Sequence, residues 1–471
     1  MIVSLSSPLN KFEKANTQII DDQDNFNAIV SSWIPCGAII GAFLCGSILK
    51  FGRRRLILLI DLVIIAGAIL TALFNFYSLC FGRFLIGWGM GSIAVVAPTF
   101  VNEISPVEFT GVTGASLQIF YSLGFLIAYS VSFFLPYNKL EDGKDNPALY
   151  DTKAWRFIFL IPGYVAGIQF FLLLCWFRYD SAKFYEQNNN YYYADLSRRK
   201  VVYYEENGEV QLEPIMSSKG TFMISPNAKV TFRELFGPKY RWAILIACIN
   251  WAFNQLWGID VIAFYSNELF INGKEGKDAQ RSARIGTFFI GVVAFVTPFL
   301  SSYLLTKYGR KTLFSAGYAG MAACFGALII CQMLEWPLGD KIFMVTHVFF
   351  YNISTGTVMA LYNAEIIPDK GMSVAQTWNW SLTITISLSV VQVFRRIKPI
   401  GVYSIFFALN LIGLMYKSFI LKETKGLSKE ELAELYATHT YDSMSEKDLN
   451  YHQIINESIN GDEDDKAGKC M

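Results

Sequence analysis

The side chains able to do covalent or metal chemistry are few and poorly spaced for it. Three histidines occur in 471 residues, and the eight cysteines at 36, 45, 80, 175, 248, 324, 331 and 470 show neither CxxC spacing nor a histidine partner nearby. A disulfide scaffold or a zinc site has no footing in that pattern. HExxH, GxSxG with triad partners and the GxxxxGKS phosphate loop are all absent, so the chain is read as no enzyme, with no cofactor and no metal. What does recur is opposite charge at fixed places. FGRRRL at 51–56 returns as YGRKTL at 308–313, and NEISP at 102–106 returns as AEIIP at 364–368, at offsets of 257 and 262 residues.

The elements that must position these charges follow from composition. Hydrophobic residues make up 53% of the chain against 17% charged, with 39 Phe, 25 Tyr and 10 Trp. An ordinary globular domain is more charged than that, so the apolar excess must face something other than water. Lys+Arg 40 against Asp+Glu 39 leaves a net charge of +1, which gives no field to recruit nucleic acid. A transmembrane helix needs about 20 apolar residues to cross about 30 Å of hydrocarbon. Eleven such stretches are predicted, at 27–50, 56–79, 82–101, 112–136, 155–177, 242–266, 285–306, 312–334, 342–364, 373–394 and 399–421. The lipid bilayer is therefore the first partner.

Charge in the loops supplies orientation. Arg53, Arg54 and Arg55 follow the first span, and Lys307, Arg310 and Lys311 follow the seventh. The positive-inside rule places both clusters in the cytosol, together with the 178–241 segment and the C-terminal tail, while Asp21, Asp22 and Asp24 fall outside. Arg395, Arg396 and Lys398 dissent, since they would be extracellular. The expected organisation is an N-terminal bundle over 1–177, a central cytoplasmic loop with short helices over 178–241, a C-terminal bundle over 242–421 and a largely disordered tail over 422–471. The matched offsets of the two motifs make the bundles copies in the same order, the parallel repeat of a two-halved transporter that binds substrate between its halves.

Nine segments carry a resemblance to a known family. They are FGRRR at 51–55, GRFLIGWGMG at 82–91, NEISPVEFTG at 102–111, WRF at 155–157, NQLWGIDVIAFYS at 254–266, KYGRKTL at 307–313, AEIIP at 364–368, NW at 379–380 and KETKG at 422–426. In this order they resemble the sugar porter branch of the major facilitator superfamily, close to facilitative hexose transporters. The resemblance implies an all-α polytopic membrane protein of the major facilitator fold, in the plasma membrane, moving a hexose or related sugar by alternating access. A transporter-like sugar sensor that binds without moving its ligand is the alternative, and uniport against proton coupling stays open.

The resemblance also assigns residues. A sugar is neutral and covered with hydroxyls, so its pocket calls for amides, which donate and accept, beside aromatic faces. Gln118, Asn254, Gln255, Asp260 and Asn379 stand at the family's sugar-binding positions. Asp260 replaces a neutral asparagine and must line water, pair with a cation or hold a proton. Arg53, Arg54, Glu103, Arg310 and Glu365 match the family's cytoplasmic gate, whose ion pairs hold the inner side shut. Asp61 is expected to snorkel or to pair with a nearby arginine.

Departures from the family bear on these assignments. The first family helix is missing from the predicted spans, with VSLSSPLN at 3–10 resembling its end. Thr110 and Met372 replace two gate arginines, so the latch is expected to be weaker than the family's. Gly291 replaces an asparagine, and Ala360 stands where a tryptophan would pack on the sugar, in a tenth helix that reads STGTVMA instead of a proline-rich stretch.

Overall fold

The computed structural model describes residues 23–73, 75–105, 110–131, 133, 154–201, 231–258, 276–397, 399–427 and 429–437. Asp260, residues 3–10, Asp21, Asp22, Lys398 and the tail beyond 437 lie outside them. Among the described residues there is no strand. Apolar segments must satisfy their own backbone where no water reaches, and the helix does this within one segment.

Five long helices come first, α1 (Gln23–Ile48), α2 (Arg53–Ala72), α3 (Phe76–Ile104), α4 (Thr110–Val131) and α5 (Ala154–Cys175). Three short ones follow, α6 (Ala182–Gln187), α7 (Tyr191–Val201) and α8 (Phe232–Leu235). The second series is α9 (Arg241–Gln255), α10 (Gly276–Lys307), α11 (Arg310–Met333), α12 (Pro337–Tyr351), α13 (Thr357–Ile366), α14 (Asp369–Arg396) and α15 (Pro399–Phe419), closed by the short α16 (Lys429–Glu434). A π-helical turn at Asn352–Gly356 joins α12 to α13 in one continuous rod. Among the described residues nine helices are long and apolar enough to cross a membrane. The remaining two predicted stretches fall on α9, described as far as Gln255 before the chain turns at Gly258, and on α14, rich in Ser, Thr, Gln and Asn.

Packing repeats as the motifs do. The helix α2 packs on α3 and α5, and its counterpart α11 packs on α12 and α15. Contacts between the series also come in equivalent pairs, with α1 against α14 and α4 against α10. Under the 257–262 offset α1 maps onto α10 and α4 onto α14, so one interface is used twice. The largest buried cluster draws on both series, with Leu56, Ile60 and Val95 meeting Phe314, Val358 and Tyr362. Phe120, Ile168, Phe171 and Trp176 are exposed on the outer faces of α4 and α5 and on the turn that follows α5, an apolar surface suited to lipid.

Close helix approach is set by small residues, because lipid tails offer helices no hydrophobic reason to associate. The helices α1 and α3 cross along paired glycines, Gly37 and Gly41 against Gly87 and Gly91. A Cβ added at Gly91 would lie 2.0 Å from the Ala38 carbonyl oxygen, and one at Gly87 2.1 Å from that of Ile34. Neither backbone oxygen can step aside without bending its helix. Gly91→Ala is therefore expected to destabilise by about 1–3 kcal/mol, the usual cost of overpacking. Gly124→Ala, where nothing lies within 4 Å of the added methyl, is the control. Thermal unfolding in detergent checks both; a Gly91→Ala protein as stable as Gly124→Ala contradicts this account of the crossing.

Candidate functional site

At one end of the helices, called here the basic end, the repeated motifs build the same device twice. Gly52 and Gly309 leave the first turns of α2 and α11 uncovered, and a carboxylate sits on each. Asp180 accepts from the backbone N–H of Arg53 at 3.2 Å and of Arg54 at 3.1 Å. Glu423 accepts from Arg310 at 2.8 Å and Lys311 at 3.1 Å. An anion at a helix N-terminus satisfies orphan donors and meets the positive end of the dipole. Glycine is required for the approach: a Cβ at Gly52 would lie 2.5 Å from Asp180 Oδ2, and one at Gly309 2.0 Å from Glu423 Oε2.

The first arginine of each motif then reaches a glutamate at the end of a neighbouring helix. Arg53 Nη2 donates to Glu103 Oε1 at 2.6 Å, and Arg310 Nη2 to Glu365 Oε1 at 2.7 Å. Glu103 is held further by the Ser181 hydroxyl at 2.6 Å and by Lys183 at 3.4 Å. Arg54 does not join these pairs; its guanidinium donates to the Leu173 carbonyl at 2.9 Å and to that of Phe177, tying α2 to the end of α5. The tail closes over the second copy through Tyr436, whose hydroxyl meets that of Tyr362 and accepts from the Lys422 N–H at 2.9 Å. Burial pushes the Tyr436 phenol above its ordinary range, so it remains a hydroxyl at neutral pH.

One difference breaks the symmetry. Arg53 Nη2 also lies 2.6 Å from Asp369 Oδ2 at the start of α14, so the first series grips the second through an ion pair. Neither Thr110 nor Met372 supplies an arginine here, and Asp369 provides a bond that the motif comparison did not foresee. Asn102 Nδ2 donates to the Ala364 carbonyl at 3.3 Å, and the Ser373 hydroxyl donates into the α1 carbonyls of Ala42 and Phe43. The two series are thus in direct polar contact at the basic end. Asp61, expected to snorkel or pair, is instead buried, and its Oδ2 has no hydrogen-bond partner.

Deeper in the helices lies a line of amides and aromatic rings. Gln118 Nε2 of α4 donates to Asn352 Oδ1 at 3.1 Å, crossing from the first series to the second. Gly356 permits that approach, since a Cβ there would sit 3.0 Å from Gln118 Nε2. The neighbouring Tyr351 donates to Asn254 Oδ1 at 3.5 Å and stacks on Trp257, ring centroids 3.4 Å apart. Gln255 Nε2 donates to Asn379 Oδ1 at 2.6 Å and to Thr383 Oγ1 at 2.8 Å. Asn379 in turn donates to Gln376 Oε1 at 3.2 Å, and Gln376 reaches back to the Ala94 carbonyl of α3 at 3.3 Å.

Of the five sequence-predicted binding residues, four therefore belong to this line. Gln118 stands at one end and Asn254, Gln255 and Asn379 along the rest, while Asp260 lies outside the described residues. Sequence reading missed Asn352, Tyr351, Trp257, Gln376 and Thr383. The π turn at Asn352–Gly356 occupies the part of the rod where the family's proline-rich stretch was found wanting. A single π turn widens a helix locally and turns its side chains, a device frequent at functional sites. His347 is buried with its ring stacked on Trp257 and edge-on to Phe325.

Removing the charge of Asp369 tests the cross-series contact. The side chain is a quarter exposed, which screens the pair and limits its worth to about 1 kcal/mol, roughly fivefold in an open-to-closed ratio. With spin labels on the exposed Lys50 and Lys307, Asp369→Asn is expected to raise the long-distance population at the basic end; an unchanged distance distribution contradicts a role for this ion pair in closure.

Residues 2–436 match the family described as "Sugar (and other) transporter". The chain is 26% identical over 405 residues to "Hexose transporter 1" of Plasmodium yoelii yoelii, covering 83% of this chain and 78% of that one. It is 27% identical over 421 residues to "Glucose transporter GlcP" of Staphylococcus epidermidis, covering 86% and 87%. The major facilitator proton:xylose symporter XylE bound to 6-bromo-6-deoxy-D-glucose superposes with a TM-score of 0.74 at 19% identity, covering 92% of this chain and 94% of that one. The inward-open conformation of XylE from E. coli gives 0.61 at the same identity, covering 92% and 95%. At that identity the structures establish the fold alone. The protein is an integral membrane protein of the major facilitator fold and belongs to the sugar (and other) transporter family.

Proposed function

We propose that the chain carries a hexose or a closely related neutral sugar across the plasma membrane by alternating access between its two halves, residues 1–177 and 242–421. One observation carries this reading: the amide and aromatic line starts at Gln118 of the first half, crosses to Asn352 and continues through Tyr351, Asn254 and Gln255 to Asn379 of the second, on long helices of both. Amides that pair with one another can exchange those bonds for sugar hydroxyls, donating and accepting in turn, while Trp257 and Tyr351 offer flat apolar faces to a sugar ring. Asp260, five residues after Gln255 in the sequence, is assigned to the same site on the family resemblance alone. Relatives named as hexose and glucose transporters support the substrate class.

The basic end is the inner gate. Arg53 with Asp369 holds it shut across the halves, while Arg53 with Glu103 and Arg310 with Glu365 are pairs inside one half each and Arg54 braces α2 against α5. The basic loops place this end, the 178–241 segment and the 422–471 tail in the cytosol. Rocking of the halves breaks the Arg53–Asp369 contact and leaves each arginine with the glutamate of its own half, so no buried charge is stranded when the gate opens. No bond is made or broken in the sugar.

Uptake of labelled D-glucose into vesicles containing the purified protein tests this reading. A hydrogen bond to a neutral hydroxyl is worth about 0.5–1.5 kcal/mol net. Gln118→Ala and Gln255→Ala are each expected to raise the KM by roughly two- to tenfold at unchanged expression. Unaltered KM in both variants, or no uptake of any hexose by the unmodified protein, contradicts the site.

A further inference from the structure

A lysine lies buried in the second half with no acid beside it. Lys417, in the last turn of α15, has no exposed surface, and among the described residues it makes no ion pair. Its ammonium donates to Asn250 Oδ1 of α9 at 2.6 Å and lies over the Phe314 ring of α11, 4.2 Å from the centroid. Asn250 Nδ2 passes the interaction on to Asn363 Oδ1 of α13 at 3.0 Å. Both asparagines are fully buried as well. Burying an unpaired cation costs several kcal/mol, and an aliphatic side chain would fill this space without that cost. Ionisable residues inside membrane helices point to function for this reason.

The position of the cluster gives the function. Asn250 lies about one helical turn from Asn254 and Gln255 on α9, and Asn363 two residues before Glu365 on α13. Phe314 stands one turn beyond Arg310, the partner of Glu365. The chain of contacts therefore spans the distance between the amide line and the second gate pair. An ammonium can only donate, so it fixes Asn250 with its oxygen toward α15 and its N–H toward α13. That in turn fixes Asn363. No other arrangement of the two amides satisfies the lysine.

We propose that Lys417 is a positioning residue for transport, which through Asn250 and Asn363 ties the sugar-binding turn of α9 to the gate turn of α13 and so couples occupancy of the site to the state of the gate. This rests on the sugar-site reading above. Without the tie each end keeps its own bonds, Gln255 with Asn379 and Arg310 with Glu365, but neither reports to the other. A coupling free energy between two sites appears as a ligand-induced change at the distant one.

The test uses the full-length protein in detergent, D-glucose as probe and spin labels at Lys50 and Lys307, with D-glucose affinity measured in parallel. In the unmodified protein saturating D-glucose shifts the open-to-closed ratio at the basic end by at least about fivefold, the lower edge of common couplings. Lys417→Met, which keeps the stem and removes the charge, binds D-glucose within about twofold of the unmodified protein and loses most of that shift. Asn250→Leu does the same, and the double variant is no worse than either single one, because both remove one connection. If Lys417→Met does not fold, Asn250→Leu and Asn363→Leu carry the comparison. A full glucose-induced shift in folded Lys417→Met or Asn250→Leu overturns the proposal, and additive losses in the double variant assign the two residues to separate, merely structural roles. Failure of the unmodified protein to bind D-glucose or any other hexose overturns the sugar-site reading and this inference with it.

Discussion

Two carboxylates seated on the first turns of two helices hold the charged end of this protein together. Asp180 and Glu423 each accept two backbone N–H groups beside a glycine, and that grip decides where the adjacent arginine can point. With its own backbone fixed, Arg53 directs its guanidinium to Glu103, and Arg310 does the same with Glu365. Both arginines and both glutamates are nearly buried, where a lone charge would be expensive, so each partner is what makes the other tolerable. The two devices are copies, yet only the first reaches across to the opposite half, through Asp369. The buried pairs lie inside each half, while the partly exposed Arg53–Asp369 pair, with the Asn102 and Ser373 hydrogen bonds, lies across the two.

The amide line obeys the same economy. Gln118, Asn352, Gln255, Asn379 and Gln376 donate to one another or to backbone carbonyls, so the site is satisfied when no sugar is present. A polar cavity with unmet donors would cost far more in a membrane interior than in water. Because an amide both donates and accepts, a sugar hydroxyl can replace an amide partner without stranding either group. On the proposed reading, affinity would come from the difference between two sets of similar bonds.

Much of this was legible in the sequence because the bilayer restricts the choice of structure. Apolar runs of about 20 residues become helices, and the recurring GRRR and GRK motifs placed Arg53 and Arg310 at equivalent helix starts. Gln118, Gln255 and Asn379 were singled out because they stand at positions the family uses for sugar. Asp180 was not, because nothing in RYDSAKFY distinguishes a capping aspartate from a solvated one until α5 returns the chain to α2. Asp369 was not singled out either, because an acid after Pro368 at a helix start needs no partner in the opposite half. Asn352 and Tyr351 were hidden by the π turn, which shifts side chains off the 3.6-residue register on which helical faces are predicted. Lys417 was not singled out in the sequence, and only the packing of α9, α11 and α13 around it reveals that it points inward.

The central claim is that sugar sits on the amide line between the two halves, and a structure determined with D-glucose bound tests it most directly. The account predicts sugar hydroxyls within hydrogen-bonding distance of Gln118 and Gln255, with the Gln118–Asn352 or Gln255–Asn379 bond given up in exchange. Density for the sugar elsewhere, with both amide pairs still closed on each other, would contradict it.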